Sequence, residues 1–501
     1  MKFRFVKYLS AVILAAFTFV GCESGSDDEG LTTDVTLNVS PSRLSLTADA
    51  QSKIIAVTTD AEEWGCMSTI SWVDAECVGQ EINLSIAKNH STETRVGQVV
   101  VYATSGTTRV EKKVIIEQYA AGSGDNGGSN GDFECAVFEE LMLSSYDSNG
   151  DGKISEAEAA RVTEIDVAYT ESDAEERQIV TSLKGIKMFK NLQYLYCDNN
   201  LISTLDLSGM EKLEYVDCYY NEMTSLDVSN CPSLKWVYCY SNSLTKLNIS
   251  GSENIMFLQA YKNKLTSIDV SGMKELVYFD VLMNELRDVD FSNCPKLMVA
   301  AVGSNNLISL KLEGLPSLYS LGCYENNIAS LDLSKISSLE MLECYSNNIA
   351  SLDLSTNPNL TALTCQRNML TSLNIENCKS LAKLDCSNNF LSGDADFSGF
   401  TALKKLNCGA NRYTSINVNA CLQMEDLSCE NTQITELEVS ALSSLTSLIA
   451  NDCLISKMDC SNNLKLKTLY LQGNPLTELV LAQGQSVADL KVDNFDVISY
   501  K

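Results

Sequence analysis

The sequence predicts a multidomain protein: a small all-β sandwich, then an α/β solenoid shaped as a horseshoe or curved rod, with a helical cap where the solenoid starts. Asparagine recurs at every twenty-first position from Asn200 to Asn389. Short segments of alternating polarity occupy residues 35–119, and a run rich in glycine, serine and asparagine follows at 120–132. Because a unit repeated at constant length must stack on its neighbours to bury its apolar side, this period predicts the solenoid.

Composition and charge limit the function. The chain has 501 residues and a formal net charge of −28, so binding to nucleic acid or to an anionic membrane surface through a basic patch is disfavoured. His90 is the single histidine of the sequence and stands in a polar run typical of a loop. A catalytic triad or a histidine-rich metal centre would have to use that one residue. We therefore expect a protein that is not an enzyme.

The N-terminal segment has the pattern of an export signal. Basic residues precede the apolar run 9–20, which is too short to span a bilayer. Residues 19–22 resemble a bacterial lipobox, which implies removal of residues 1–21 and a lipid on Cys22. The acidic tether at 22–34 is similar to the export signal of Bacteroidetes-type surface lipoproteins. That resemblance implies a protein anchored by lipid in the outer membrane and facing the cell exterior.

Residues 35–119 have the spacing of a small β-sandwich. Alternating segments parted by turn residues occupy 35–39, 54–58, 82–86, 97–102 and 110–116. Several residues of this region together resemble a BACON domain, an Ig-like sandwich: Ser40, Pro41, Trp64, Trp72, Asn89, Arg95 and the final 114–118 run. The name of that family implies carbohydrate binding, although many members resemble spacers that hold a functional domain away from the membrane.

Four side chains of this sandwich have competing interpretations. Trp64 and Trp72 are expected in the core rather than as platforms for sugar rings. Cys66 and Cys77 could form a disulfide in an oxidising compartment, but a separation of 11 residues does not establish the geometry. The sequence leaves that pairing open.

After the linker at 120–132, residues 147–158 match an EF-hand calcium loop. Such a loop requires oxygen ligands at fixed positions and a glycine at the sixth, here Gly152. The expected ligands are the side chains of Asp147, Asn149 and Asp151, the carbonyl of Lys153, Ser155 directly or through water, and a bidentate Glu158. Since the chain has one such loop, we expect residues 133–182 to form an EF-hand-like cap that Ca²⁺ stabilises rather than a calcium sensor.

Residues 183–501 carry the repeat, which is clearest at 339–355. It reads leucine, leucine, cysteine, asparagine, then a leucine–aspartate–leucine run, and it resembles the leucine-rich repeat of internalin-like surface proteins. Fourteen turns can be counted from Cys197 to Leu471, and one extra residue enters at 392–397. A degraded fifteenth turn at 487–492 is expected to be the C-terminal cap.

Two columns of residues have a structural interpretation. Nine cysteines alternate with alanine, valine and leucine at one inward position, which indicates a small buried hydrophobic residue rather than a metal or redox site. Cys231, Cys294, Cys378 and Cys421 recur at a second position and receive the same interpretation. The repeated asparagine is expected to satisfy backbone groups at each bend, with Thr432 and Cys453 replacing it in later turns.

Aromatic residues crowd the predicted concave face in the first five turns. The positions that point outward are those before and after the second leucine and the one after the cysteine. The candidate ligand-binding residues there are Tyr194, Tyr196, Tyr215, Tyr219, Trp236, Tyr238, Tyr240, Phe257, Tyr261 and Tyr278. Later turns keep only Tyr324 and Tyr345 at these positions among smaller and polar residues. Stacking between strands would explain part of this column without a ligand, whereas its asymmetry along a uniform solenoid favours a binding face.

The sequence therefore predicts a recognition protein of the cell surface, similar to an adhesin or receptor, that binds a protein or glycoprotein on this face. The alternative is a glycan-capturing accessory lipoprotein of a surface saccharide-uptake system. Nucleic acid is not an expected partner.

Overall fold

The computed structural model describes residues 36–40, 43–46, 49–61, 63–91, 93, 95–105, 108–118, 133–149, 152–169 and 179–501. The signal segment, Cys22, the acidic tether and the glycine-rich linker lie outside the described residues. The chain divides into two compact units, Met1–Glu140 and Leu141–Lys501. Within the described part, none of the helices has both the length and the apolar character needed to cross a membrane.

The first unit contains two four-stranded sheets. One has the strand order Leu37–Ser40, Gln51–Thr59, Glu81–Ile86 and Val73–Val78, and the other has the order Arg43–Leu46, Thr108–Gln118, Arg95–Ser105 and Glu63–Ser68. Neighbouring strands are antiparallel except for Arg43–Leu46 beside Thr108–Gln118. Alternating residues such as Ile55, Ile82 and Val101 are fully buried and form one core, as the period-two pattern predicts.

Of the residues that suggested the family resemblance, Trp64, Trp72, Asn89, Arg95 and Gln118 lie at this core or hydrogen-bond beside it, whereas Pro41 lies outside the described residues. Trp64 and Trp72 pack against the core as expected, and the guanidinium carbon of Arg95 lies 4.3 Å from the Trp72 ring centroid. Arg95 Nη2 donates to Gln118 Oε1 at 2.6 Å. Buried Asn89 donates through Nδ2 to the Gln118 carbonyl at 3.3 Å. These contacts support the fold of the sandwich, and the assignment to BACON domains stays a prediction.

Cys66 and Cys77 form a disulfide, with Cα atoms 6.3 Å apart. Cys66 lies in strand Glu63–Ser68 and Cys77 in strand Val73–Val78, which belong to different sheets. The bond therefore links the two layers of the sandwich, a pairing that the sequence alone left open.

Two helices flank the calcium-loop sequence. Ala136–Tyr146 forms three turns of helix, and Glu156–Ala159 forms a single turn. Ser155 caps the second helix through a reciprocal pair of contacts with Glu158, the arrangement that a serine followed three residues later by glutamate favours. The helical pattern is confirmed on both sides, although the second helix is very short.

The second unit is dominated by one parallel sheet of sixteen strands, called the main sheet. Its strands, in spatial order, are Glu164–Asp166, Tyr194–Tyr196, Tyr215–Asp217, Trp236–Tyr238, Phe257–Gln259, Tyr278–Asp280, Val299–Ala301, Ser320–Gly322, Met341–Glu343, Ala362–Thr364, Lys383–Asp385, Lys405–Asn407, Asp426–Ser428, Ser447–Ile449, Thr468–Tyr470 and Asp489–Lys491. The middle residue of nearly every strand is buried. The solenoid is therefore a parallel stack, as the repeat predicts.

Both ends of the main sheet extend beyond the fourteen predicted turns. Glu164–Asp166, inside the predicted cap, pairs in parallel register with Tyr194–Tyr196. The degraded fifteenth turn supplies Asp489–Lys491, which pairs with Thr468–Tyr470. The predicted cap regions thus contribute edge strands to the sheet itself.

A second set of short strands lines the return side of some turns. They are Thr204–Asp206, Ser225–Asp227, Lys246–Asn248, Ser351–Asp353, Ser372–Asn374, Ser392–Asp396, Arg412–Asn417, Lys457–Asp459, Glu478–Leu481 and Ile498–Tyr500. Single 3₁₀ turns lie at Ile186–Met188 and Phe495–Val497. The extra residue of the repeat is absorbed here, because the pairing register shifts between Gly393 and Asp394 while the main sheet continues in register.

The asparagine column ties each turn to the preceding one. Asn263 is typical: its Nδ2 donates to the carbonyls of Cys239 and Ala260, both at 3.0 Å. Its Oδ1 accepts a hydrogen bond from the Leu244 backbone N–H at 2.9 Å. The residue before it, Lys262, has a φ of 53°, and the residues before the other column positions also have positive φ. The predicted role of the asparagine at the bend is confirmed.

The two cysteine columns are buried but differ in chemistry. All nine thiols of the first column are inaccessible to solvent, which confirms that column as an apolar interior. In the second column, Cys294 Sγ donates to the Val270 carbonyl at 3.1 Å. Ser252 at the equivalent position donates to the Val228 carbonyl at 2.6 Å. The prediction of a purely apolar second column is therefore incomplete, because the backbone there offers a buried acceptor.

Candidate binding face on the main sheet

The outer face of the main sheet consists of three columns of side chains and corresponds to the predicted concave face. The first and second columns flank the buried middle residue of each strand, and the third follows the buried cysteine position. Because neighbouring strands pair residue for residue, side chains of the same column stand one strand spacing apart. Identical aromatic residues in consecutive turns are therefore placed to stack.

The third column contains a parallel stack of tyrosines. The ring centroids of Tyr219 and Tyr240 are 4.5 Å apart with 5° between planes, and those of Tyr240 and Tyr261 are 4.4 Å apart with 7° between planes. Tyr220 packs edge-on against both Tyr219 and Tyr240 and is itself exposed. Sequence reasoning missed Tyr220. The residue before the column asparagine normally lies in the bend, so this position was not assigned to the outer face.

The first two columns form a second aromatic cluster around Tyr215. Its ring centroid lies 5.0 Å from that of Tyr196, 6.4 Å from that of Trp236 and 5.5 Å from that of Tyr238. Farther along, the rings of Phe257 and Tyr278 are stacked at 6.3 Å. The ten aromatic residues singled out in the sequence are thus brought together on one face.

The ten aromatic side chains are not equally accessible. Tyr215 is 6% exposed and Tyr238 is 9% exposed, whereas the other eight are half-buried. The expectation that all ten point into solvent is wrong for these two residues, because rings from neighbouring strands close over them. Contact with a partner would fall on the half-buried rings, with Tyr215 and Tyr238 supporting them.

Carboxylates lie beneath the aromatic layer. Asp198, Asp217 and Asp280 are all buried, and the Tyr215 hydroxyl donates to Asp217 Oδ2 at 3.2 Å. Burial raises the pKa of Asp198 and raises the pKa of Asp280 to about 7, since desolvation disfavours the charged form. The sequence placed aspartates on this face but gave no sign that they are covered.

The edge strand Glu164–Asp166 adds two exposed carboxylates to the face. Glu164 is in register with Tyr194 and Asp166 with Tyr196. Sequence reasoning assigned this segment to the cap and missed both residues. A sequence signal for this strand is nevertheless present. Val162, Ile165 and Val167 are buried, and their spacing along the chain is the same as that of the hydrophobic residues that lead to Cys197.

The later turns continue the face with fewer aromatic residues. The rings of Tyr324 and Tyr345 stack at 4.6 Å. Gly303 leaves room for the Tyr324 ring, whose nearest atoms lie 2.8 Å from where a β-carbon on Gly303 would stand. This pair is separated from the main aromatic cluster by Leu282 and Gly303 of the third column.

The calcium-loop residues are only partly brought together. Gly152 has a φ of 77°, and its N–H donates to Asp147 Oδ2 at 2.8 Å, the tight turn that the motif requires. Glu158 Oε1 accepts from the Ser148 hydroxyl and Oε2 accepts from the Ser155 hydroxyl. Hydrogen bonds from Ser155 and Ser148 lower the pKa of Glu158 to about 2.

The donor set of this loop suits Ca²⁺ in chemistry, since the carboxylates and the amide offer oxygen ligands. Among the described residues, however, no three acidic, histidine or cysteine side chains converge on one point. Asp151, the central expected ligand, lies outside the described residues, while Asn149 and Lys153 lie within them. The loop therefore has the turn of a calcium site and a Glu158 that is engaged in capping its own helix.

Comparison with solved structures identifies the class of the solenoid. The functional domain of InlJ from Listeria monocytogenes, which includes a cysteine ladder, is 29% identical, with a TM-score of 0.56 over 70% of this chain and 74% of that one. YopM, a leucine-rich effector protein from Yersinia pestis, is 22% identical, with a TM-score of 0.55 over 74% of this chain and 96% of that one. No protein-family model and no curated protein matches the sequence.

The InlJ domain includes a cysteine ladder, and this chain has a column of buried cysteines in its parallel solenoid. The similarity to YopM shows only that the two proteins share the fold. The second unit of this protein is a parallel β-solenoid of leucine-rich repeats, similar to those of internalin and YopM proteins.

Proposed function

We propose that this protein is a non-catalytic recognition protein of the cell surface, and that the aromatic part of the outer face binds a protein or glycoprotein. The observation that carries the proposal is the concentration of a half-buried aromatic layer in the first five turns of a uniform solenoid. Tyrosine and tryptophan supply large contact areas at low entropic cost and are enriched at the centres of protein interfaces.

Stacking within the layer also prepares it for binding. Rings fixed by their neighbours lose little conformational freedom when a partner arrives, so more of the contact energy contributes to affinity. The Trp236 ring stands at the centre of the layer and is half-buried, and Lys235 Nζ lies 5.7 Å from its centroid. We assign Trp236 as the central contact residue.

The proposal is tested with arrays of surface proteins and glycans probed with the purified protein. We expect a protein or glycoprotein ligand for the wild type, and we expect Trp236→Ala to weaken its binding at least about thirtyfold, since anchors of this kind contribute about 2 kcal/mol or more. Tyr345→Ala, which removes an aromatic ring from a later turn of the same face, is the matched control and should bind normally. Equal binding by Trp236→Ala and wild type would place the binding site elsewhere.

The second candidate is capture of glycans for a saccharide-uptake system. Sugar rings stack on aromatic faces, and the half-buried rings of Tyr194 and Trp236 would serve such a ligand as well. Binding to glycans with no protein ligand on the same arrays would favour this candidate over the first.

We further propose that residues 147–158 bind Ca²⁺ and stabilise the start of the solenoid. Asp147, Asn149, Asp151, Lys153, Ser155 and Glu158 would hold the ion. Bound Ca²⁺ would neutralise the charge concentrated in this loop. The first strand of the main sheet, Glu164–Asp166, begins only a few residues later, so ordering the loop would order the edge of the sheet.

Thermal melting tests the calcium proposal. We expect Ca²⁺ to raise the melting temperature of the wild type relative to chelator, because a ligand that binds the folded state alone stabilises it by mass action. Asp147→Ala should lose this difference, and Asp288→Ala, which removes an exposed carboxylate far along the chain, should keep it. A wild type that melts at the same temperature in both conditions would show that the loop does not hold the ion.

For the N-terminal segment, we propose lipidation at Cys22 and anchoring in the outer membrane, facing the cell exterior. Support comes from the lipobox-like sequence and the acidic tether that follows it. Cys22→Ser should move the protein from the membrane fraction into the soluble fraction and abolish labelling by a fatty-acid analogue. Retention of the label by that variant would contradict the proposal.

A further inference from the structure

The asparagine column is interrupted in two consecutive turns near the end of the solenoid. Thr432 and Cys453 stand at positions that asparagine holds in the turns before and after them, and the column resumes at Asn474. Asn474 Nδ2 donates to the Ala450 carbonyl of the preceding turn at 2.7 Å, and its Oδ1 accepts from the Ile455 N–H at 3.0 Å. A thiol is only a weak donor and a weak acceptor, so the side-chain hydrogen bonds of Cys453 are weaker than those of an amide.

Cys453 contacts the preceding turn through Cys429, a member of the first cysteine column. Cys453 Sγ lies 3.4 Å from the Cys429 carbonyl oxygen and 3.3 Å from Thr432 Oγ1. Thr432 Oγ1 donates to the same carbonyl at 2.8 Å, and the two thiols hydrogen-bond each other. The exposed fraction is 0% for Cys429 and 3% for Cys453. The thiol of the bend is therefore packed directly on a thiol of the interior.

Neighbouring thiols within the first cysteine column are arranged differently. Cys408 and Cys429 follow strands Lys405–Asn407 and Asp426–Ser428, which pair in parallel register. Equivalent side chains of such strands point in the same direction at a spacing of about 4.8 Å, whereas the β-carbons of a disulfide lie about 3.5–4.5 Å apart. Cys453 belongs to the bend and not to this column, so the parallel arrangement does not separate it from Cys429.

We propose that Cys429 and Cys453 form a modification site, which a small-molecule disulfide oxidises to a disulfide bond between adjacent turns. The bond connects the two turns where the column asparagine is replaced, and its ends are 24 residues apart in the chain. Closing that loop restricts the unfolded chain, so the bond stabilises this end of the solenoid.

The exchange proceeds in two steps, and a thiolate is the attacking group in each. The hydrogen bond with Cys429 lowers the pKa of Cys453, whereas the same contact and burial raise the pKa of Cys429. Cys453 therefore attacks a sulfur of the oxidant first, and one thiol of the oxidant leaves. Cys429 then loses its proton to solvent, attacks the Cys453 sulfur of the mixed disulfide and releases the second thiol. Two protein thiols are oxidised, and one disulfide of the oxidant is reduced to two thiols.

Peptide mapping tests for the bond. The purified full chain is incubated with oxidised glutathione in buffer, and also in urea below the unfolding midpoint, where local opening admits the reagent to buried thiols. After free thiols are blocked, cleavage behind lysine, arginine and glutamate places Cys429 in peptide 426–430 and Cys453 in peptide 439–457, each without another cysteine. We expect mass spectrometry to find these two peptides linked, and we expect dithiothreitol to separate them.

Two variants identify the thiols involved. Cys453→Asn restores the residue that neighbouring turns carry at this position, so it should abolish the linked pair while far-UV circular dichroism shows a folded protein. Cys408→Ala removes the adjacent thiol of the first cysteine column and should leave the pair unchanged. Oxidised wild type should melt at a higher temperature than reduced wild type. The shift should be smaller in Cys453→Asn, in which only the response of Cys66 and Cys77 to the same reagents remains.

Three results would overturn the inference. The wild type could yield no linked pair of 426–430 with 439–457 in either condition, or Cys429 could be linked to Cys408 instead. Equal oxidative shifts in the melting temperatures of wild type and Cys453→Asn would show that the bond does not stabilise the solenoid.

Discussion

At the scale of single residues, the cysteine side chain has a different role in each of the two cysteine columns. Cys344 belongs to the first column, and burial raises the pKa of its thiol to about 12. Cys294 belongs to the second column and donates to a backbone carbonyl. The sequence already carries this difference, since alanine, valine and leucine replace cysteine in the first column while serine and asparagine also occur in the second, at Ser252 and Asn357.

The buried carboxylate of Asp280 gives a pH dependence with a definite sign. Its folded-state pKa is raised to about 7 by burial, against about 3.9 for an exposed aspartate. The penalty for ionising it is absent below about pH 4, grows as pH rises and is complete above about pH 7. Asp280→Asn should therefore raise the free energy of unfolding by about 2–4 kcal/mol at pH 8 and change it little at pH 4, as measured by denaturant titration.

Asp290 provides a control of opposite sign. Hydrogen bonds from Lys311 and Ser292 lower the pKa of Asp290 to about 2, so its contribution to stability is present above about pH 4 and is lost as pH falls towards 2. Asp290→Asn should lower stability at pH 8. If Asp280→Asn also lowered the free energy of unfolding at pH 8, the surroundings of Asp280 would have to stabilise its charged carboxylate rather than destabilise it.

At the scale of the element, most turns are closed by the side-chain amide of one asparagine. The asparagine side chain satisfies carbonyls of its own turn and of the preceding turn, and it accepts from a backbone N–H nineteen residues earlier. Where threonine takes its place, Thr432 Oγ1 donates to the Cys429 carbonyl of its own turn at 2.8 Å. Thr432 thus keeps the hydrogen bond within its own turn that the column asparagine makes, but the hydrogen bonds between neighbouring turns are changed.

Replacing one column asparagine should be costly. Asn263→Ala leaves buried backbone groups at Cys239, Ala260 and Leu244 without these partners, and we expect a loss of about 3 kcal/mol. Asn263→Thr should lose less, because the hydroxyl can still reach its own turn. Urea titration measures both, with Asn306→Ala at an exposed neighbouring position as control. Equal stability of Asn263→Ala and the control would show that the amide contributes nothing net.

The element scale also shows where sequence reasoning reached its limit. The 21-residue period placed the strands, the asparagines and the insertion at 392–397 correctly, because each is a local pattern repeated in register. It missed strand Glu164–Asp166, which stands thirty residues before its neighbour Tyr194–Tyr196. The 21-residue period does not reach this strand, whose only sequence signal is the local spacing of Val162, Ile165 and Val167, and its pairing in the main sheet is seen in the tertiary structure.

At the scale of the whole molecule, the sequence by itself determined the solenoid, the sandwich and the face on which the aromatic residues lie. It could do so because burial of an apolar side forces a constant repeat to stack, and stacking fixes which columns face inward. Tertiary structure decided the disulfide between Cys66 and Cys77, the burial of Tyr215 and Tyr238, and the covering of Asp280. Those features depend on distances between side chains of different strands, and no single turn of sequence specifies such distances.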